Sequence, residues 1–522
     1  MTLQSYLCDR WVEGSGAGAP LVDPTTGEEL ARATSEGIDL AAALDHAREV
    51  GRPSLERMSY GERAQMLKRM AEVLGEQRDA YYDIALRNVG DTRRDARVDV
   101  DGGIGTLMYI GAIGAGLGDA RCLIEPRFDR LGRDESFRAA HLWSAIPGVA
   151  VHINAFNFPA WGLWEKAAVS LLAGVPVLAK PATPTAWLAQ RMVADVVEAG
   201  VVPPGALSIL CGGARTLLDH VRPGDAIAFT GSAETAHVLR AQPNVIASGV
   251  RFNVEADSLN ACLLGPDAGP QSPVLALFVA EIVREMTVKA GQKCTTIRRA
   301  LVPAHLLDAV VEELEAQLAG VVVGNPRNET VRMGPLVNKG QQQAAWEGIA
   351  RLATEAAVVS GGDRGLEPMD ADAEAGCFVP PTLLRCNHPQ EAQAVHEVEV
   401  FGPVATLMPY GSPQQAFGLA ARGGGSLVAS VFTADDDFAR EAVLQLGPTH
   451  GRVLVVDESV AKANTGHGIV MPQCVHGGPG RAGGGEELGG LRGLRFYHQR
   501  SAVQAGTARL EALRAVAAEV AL

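Results

Sequence analysis

Apolar positions along the chain switch between two periods, and the switches mark out its elements. Between Gly61 and Leu86, the residues Leu67, Met70, Ala71 and Leu74 recur at helical spacing, which predicts a helix with one buried face. From Gly148 the pattern changes. GVAVHIN, VPVLAK, ALSILCGG and DAIAFTG read as strands; WGLWEKAAVSLLAG (ending at Gly174), Thr183 to Ala199 and a stretch starting near Ala233 read as helices. Short apolar strands alternating with helices predict an α/β fold with a parallel, doubly wound sheet. Ligands of such sheets bind at the carboxyl ends of the strands.

A second α/β unit follows. Ser272 and Pro273 make a good helix start, a cap followed by a proline in the first turn. That helix is expected to run through Leu277, Phe278, Ile282 and Met286 to a stop at Gly291. The strand IRRALVP, a helix from His305 to Leu318, and the strands SLVASVFT and RVLVVD come next. Cys122 to Ser144 is charged with short apolar runs and reads as a projecting hairpin; LRFYHQRSAVQ is strand-like, and Thr507 to Val520 a weakly amphipathic helix.

A length of 522 residues implies two or three domains. The formal net charge of −14 argues against nucleic-acid partners, which need clustered Lys and Arg. The eight cysteines form no spacing framework, and Cys211 and Cys262, in apolar runs, read as buried free thiols. There is no CxxC pair and no HExxH, so no metal site is expected. The opening MTLQSYLCDRWVEGSG has neither a basic leader nor an apolar core, and no stretch is of membrane-spanning length. A cytoplasmic protein without a membrane partner is expected.

Three segments carry the candidate chemistry. AGQKCTT places Cys294 just after the expected helix stop, where a thiolate nucleophile could be reached. FNVEADSLN puts Glu255 in an apolar stretch, where a carboxylate needs a partner or a task such as general base. INAFNFPAWG offers the Asn157 amide at a strand end, suited with a backbone N–H to holding an oxyanion.

These segments, in this order, resemble the aldehyde dehydrogenase superfamily over nearly the whole chain. The resemblance implies a Rossmann-type cofactor domain (1–123 and 148–257), an α/β catalytic domain (258–480) and an oligomerisation segment (124–147 and 481–522), with at least a homodimer. It makes Cys294 the nucleophile, Glu255 the base and Asn157 the oxyanion amide. Lys180 in AKPAT would contact the adenosine ribose, and Gly231 and Ser232 in FTGSAETA the pyrophosphate. Glu399 in EVFGPV would hold the nicotinamide ribose, with Phe401 near the ring. Phe156, Trp161 and Trp164 are expected to line the aldehyde tunnel. Gly478 to Gly483 fits GxGxxG but lies in no βαβ unit, and resembles instead the loop bordering that tunnel. His152, His467 and His476 show no ligand spacing and read as core or surface histidines; His476, beside that loop, also counts among the tunnel residues.

Some positions depart from the family pattern. Ala236 stands where Gly is frequent, and VEADSL where LELGGK is usual. Thr183 stands where members that prefer NAD commonly carry Glu. Without a carboxylate to repel a 2′-phosphate, NADP is the expected cofactor, with NAD the weaker one. Retention of Glu255 favours hydrolysis to a free acid over acyl transfer to coenzyme A.

VHINAFNFPAWGLWEKAAVSLLAG, with VEADSLN and REMTVKAGQKCTTIRR, resembles a small branch whose members oxidise semialdehydes bearing a coenzyme A thioester, in aerobic aromatic breakdown. Some members of that branch carry a fused hydratase; this chain is expected to lack one. The alternatives are the CoA semialdehyde of phenylacetate breakdown or a small free-acid semialdehyde as substrate, or a silent relative that keeps only the fold. Cys294, Glu255 and Asn157 together argue against the last.

Overall fold

The computed structural model describes residues 1–213 and 216–522. In one sheet, Arg251–Glu255, Ala226–Thr230, Ala150–Ile153, Val177–Lys180 and Leu207–Ile209 lie side by side in that order, all parallel. Ser5–Leu7 and Arg10–Val12 extend it as antiparallel strands at one edge. The chain builds outward from Ala150–Ile153 in one direction, then crosses to its other side with Ala226–Thr230. That reversal is the switch point of a doubly wound sheet, where a crevice opens beyond the strand ends.

The central strands are apolar and buried because helices cover them. Trp161–Ala173 buries ten of its residues and ends at Gly174, whose φ of 85° supplies the left-handed cap. Tyr60–Glu76 is opened by a capping box between Ser59 and Glu62. The helix expected from Gly61 to Leu86 breaks at Gln77, and a second helix spans Arg78–Ile84.

A second sheet runs Ala357–Ser360, Thr382–Arg385, Val404–Tyr410, Arg299–Pro303, Ala261–Leu264, Ser426–Phe432 and His450–Val456, antiparallel only at the first pair. The helix opened by Ser272 spans Pro273–Thr287, with Ser272 accepting from the Leu275 N–H. It stops short of Gly291 because Lys289, Ala290 and Gly291 are left-handed, at φ 54°, 51° and 68°.

In a third sheet, His498–Gly506 pairs antiparallel with the whole of Phe137–Ala145. Two expectations near the end of the chain need correction. LRFY belongs to a 3-10 helix, Gly490–Tyr497, and the strand begins at His498. The final helix is Thr507–Arg514, after which Ala517–Glu519 joins Cys122–Ile124 as a parallel strand. A weak helical period yields there to an open strand edge that offers backbone partners. Among the described residues, no helix is long and apolar enough to cross a membrane.

Candidate active site

Cys294 is presented by a tightly held loop. A Cβ on Gly291 would lie 2.2 Å from the Gly402 carbonyl oxygen, so this left-handed position requires glycine. Lys289, strained at positive φ, is held by a buried ion pair with Asp91. Asn260 donates to the Cys294 and Thr296 carbonyls at 2.8 and 2.9 Å. Arg298 donates to the carbonyls of Gly291 and Gly402 at 3.0 and 2.7 Å.

Two cavities meet at this loop. The larger, about 680 Å³, opens beyond the first sheet and is lined by Gly231, Ser232, Glu234, Glu399 and Phe401 among others. The smaller, about 50 Å³, is bordered by Phe158, Trp161, Gly162, Thr295, Val470 and His476. Asn154, Ala155, Asn157, Thr230, Glu255 and Cys294 line both. The three residues expected to carry the chemistry thus stand where one chamber opens into the other.

Their electrostatics are those of a base beside a protonated nucleophile. Burial pushes the Cys294 thiol well above its ordinary value, and the adjacent Glu255 carboxylate adds to the effect. Burial alone would raise Glu255 too, but the charge of His476, and then of Lys166, holds it below the usual carboxylate range. His476 Nε2 lies 3.0 Å from Glu255 Oε1. Lys166, buried on the Trp161–Ala173 helix, is 2.9 Å from both Glu165 and Glu487. One donor atom from each of Glu255, Cys294 and His476 falls within 4.8 Å of the others.

The larger cavity fits a dinucleotide. Glu399 is buried there; its Oε2 accepts from the Ser258 N–H at 3.0 Å, while Oε1 has no hydrogen-bond partner. Burial raises its carboxyl to about 7 against the pull of Arg298, 3.7 Å away. A buried acceptor without a donor suits sugar hydroxyls. At the other end, the Ala233–Arg240 helix points its N-terminus toward the cavity, capped by Ser232. Asp257 takes the Ala233 N–H at 3.0 Å, which leaves fewer free amides there for an anion. Ala182 borders the cavity; Lys180 and Thr183 flank it without forming the lining.

Two aromatic expectations are corrected. Trp164 is fully buried, with its indole against Gly103, so it belongs to the core between two helices rather than to the tunnel. Phe156 lies on the cofactor side, edge-on to Phe401 at 5.6 Å. Phe158 and Trp161, themselves edge-to-face at 5.8 Å, border the tunnel. Asn157 lies in the loop after the strand that ends at Ile153, not on the strand itself.

Sequence reasoning missed Glu165, Lys166, Glu487, Asn260 and the Lys289–Asp91 pair. A Glu-Lys dipeptide inside an otherwise apolar helix was the available signal for the first two, since charges are rarely buried there without partners.

The aldehyde dehydrogenase family pattern matches residues 11–503. A protein of Aromatoleum evansii, 3,4-dehydroadipyl-CoA semialdehyde dehydrogenase, is 56% identical over 479 residues, covering 92% of this chain and 93% of its own. Among solved structures, HpcC from Thermus thermophilus superposes with a TM-score of 0.86 at 22% identity, covering 97% of this chain and 93% of that one. Betaine aldehyde dehydrogenase from Staphylococcus aureus, in complex with NAD+, gives 0.83 at 21%, covering 97% of each. By the extent of these matches, the chain belongs to the aldehyde dehydrogenase family.

Proposed function

We propose that the protein oxidises 3,4-dehydroadipyl-CoA semialdehyde to the free carboxylic acid, with NADP as acceptor and the coenzyme A thioester left intact. The substrate rests on the relative that is 56% identical along almost all of both chains. The single observation that carries the chemistry is the placing of Cys294, Glu255 and Asn157 at the junction of a narrow tunnel with a dinucleotide-sized cleft.

Cys294 Sγ adds to the aldehyde carbon and passes its proton to Glu255, the paired arrangement of a thiol and a ready base. The Asn157 amide, with the Cys294 backbone N–H, donates to the oxyanion that forms. NADP, when bound, supplies the hydride acceptor. Glu399 would hold the nicotinamide ribose through its free oxygen, with Phe401 beside the ring, and Gly231 and Ser232 the pyrophosphate. Lys180 and Thr183 would accommodate the 2′-phosphate, since no carboxylate stands between them to repel it. Glu255, after releasing the first proton to solvent, takes a proton from the water that cleaves the acyl–Cys294 thioester and returns it to the departing Cys294 sulfur as the acid leaves.

The domain division expected from the sequence and a homodimer built through the 124–147 and 481–522 segments complete the proposal. Intact-mass spectrometry of Glu255→Gln, mixed with NADP and the CoA-linked semialdehyde, tests it. At alkaline pH, where the thiol can ionise without the base, an acyl adduct on Cys294 with the mass of the aldehyde less two hydrogens is expected; an unmodified protein whose wild type oxidises only other aldehydes would discard this substrate.

A further inference from the structure

Glu255 works among acids. Glu165 projects from the Trp161–Ala173 helix and Glu487 from the Glu486–Leu488 strand, and Cys294 carries a developing negative charge whenever it reacts. Two cations face this group. Lys166 is divided between Glu165 and Glu487, at 2.9 Å from each. His476 is the one in direct contact with Glu255, at 3.0 Å. It sits on Val475–Gly477, whose antiparallel register places it opposite Glu487, and it is 6% exposed.

Apart from His476, Glu255 has few donors to keep it ionised. Its Oε2 has the Thr230 hydroxyl at 3.5 Å, and the Cys294 thiol adds a smaller contribution. A buried carboxylate with so few donors takes up a proton unless a cation stands beside it. A protonated Glu255 could take no proton from the thiol or from water.

We propose that His476 is the positioning residue of the catalytic base: its imidazolium, against Glu255 Oε1, keeps that carboxylate ionised between Cys294 and the neighbouring acids. The proposal rests on the reading of Glu255 as base and adds the group that makes it one. The same contact raises His476 above the ordinary imidazole value in spite of its burial, as a charged partner should.

The test is the pH dependence of kcat and of the first-turnover burst. The assay uses the full-length protein, NADP, and whichever of the CoA-linked semialdehyde and propanal the wild type oxidises faster. In His476→Gln, and again in His476→Asn, the acid limb of kcat should move up by about one pH unit or more, a loss of about tenfold below the limb. Rate should recover at alkaline pH, and His476→Lys, which restores a cation, should move the limb back. Superimposable profiles with only KM raised would make His476 a wall of the tunnel and overturn the proposal. An equal loss at every pH in both neutral variants would make it structural, with the same consequence. Glu255→Gln separates the two levels: normal turnover in it sinks the base assignment, whereas a dead Glu255→Gln beside an unshifted His476→Gln sinks this inference alone.

Discussion

Asn260 donates its side-chain amide to the carbonyl oxygen of Cys294 at 2.8 Å, and so ties the nucleophile's backbone to the start of the strand Ala261–Leu264. Its second N–H bond goes to the Thr296 carbonyl, and its oxygen accepts from the Val428 N–H at 3.1 Å. One buried amide therefore ties the reactive loop to two strands of the second sheet. Replacing it by Ala would leave buried carbonyls without donors, at about 1–3 kcal/mol for each unsatisfied group. Asn260→Ala should lower both the urea midpoint and kcat; an unchanged midpoint would show that the loop holds its shape by other means.

Asn157 has a different part in the proposal, since it lines both cavities together with Cys294. An oxyanion donor acts in the transition state more than in the ground state. Asn157→Ala should cut kcat by about 100- to 1000-fold with little change in thermal stability. A loss confined to KM, measured by steady-state kinetics, would remove it from that role.

Lys289 is the sole cation in direct contact with Asp91 among the described ion pairs, and burial already pushes Asp91 up to about 7. Removing one partner of a buried pair strands the other, at about 3–5 kcal/mol. Lys289→Met should unfold at correspondingly lower urea, as read by circular dichroism. A neutral result would mean that Asp91 simply takes up a proton.

Cofactor binding should depend on pH through Glu399. Its carboxyl is raised to about 7, so below that value it is largely protonated, and both oxygens can accept from sugar hydroxyls only after the proton leaves. Binding then releases a proton, and affinity for NADP rises with pH, levelling off above about 8. Fluorescence titration of Glu399→Gln should give weaker binding that no longer varies over this range. A pH dependence retained in that variant would assign the effect to another group.

Gly162 borders the tunnel, and nothing lies within 4 Å of where its Cβ would be. Its small size therefore widens the passage rather than relieving a clash. Gly162→Leu should reduce kcat/KM for the CoA-linked semialdehyde more than for propanal. Equal losses on both substrates would show that the passage is wide enough elsewhere.

Much of this was legible in the sequence. The alternation from Gly148 onward marks the first sheet because its central strands are buried on both faces and the helix between the first two ends on Gly174. Cys294, Glu255 and Asn157 were legible as candidates because each is a polar or reactive residue in or just beyond an apolar element, Glu255 at a strand end and the other two in the loops that follow. The partners were not. His476 and Glu487 reach Glu255 only through strand register and the fold of distant segments, which a local pattern does not encode. Trp164 misled because an aromatic at helical spacing has the same pattern whether it faces a tunnel or a neighbouring helix. The terminal segment after Arg514 misled because a free strand edge outweighs a weak helical period.

The most direct test of the central claim follows reduced-nicotinamide absorbance with purified protein, the CoA-linked semialdehyde and either NADP or NAD. Reduction that favours NADP, yields the free acid with its thioester intact, and vanishes in Cys294→Ala is the predicted result. Silence with this substrate under both cofactors, beside ready oxidation of simple aldehydes, would contradict it.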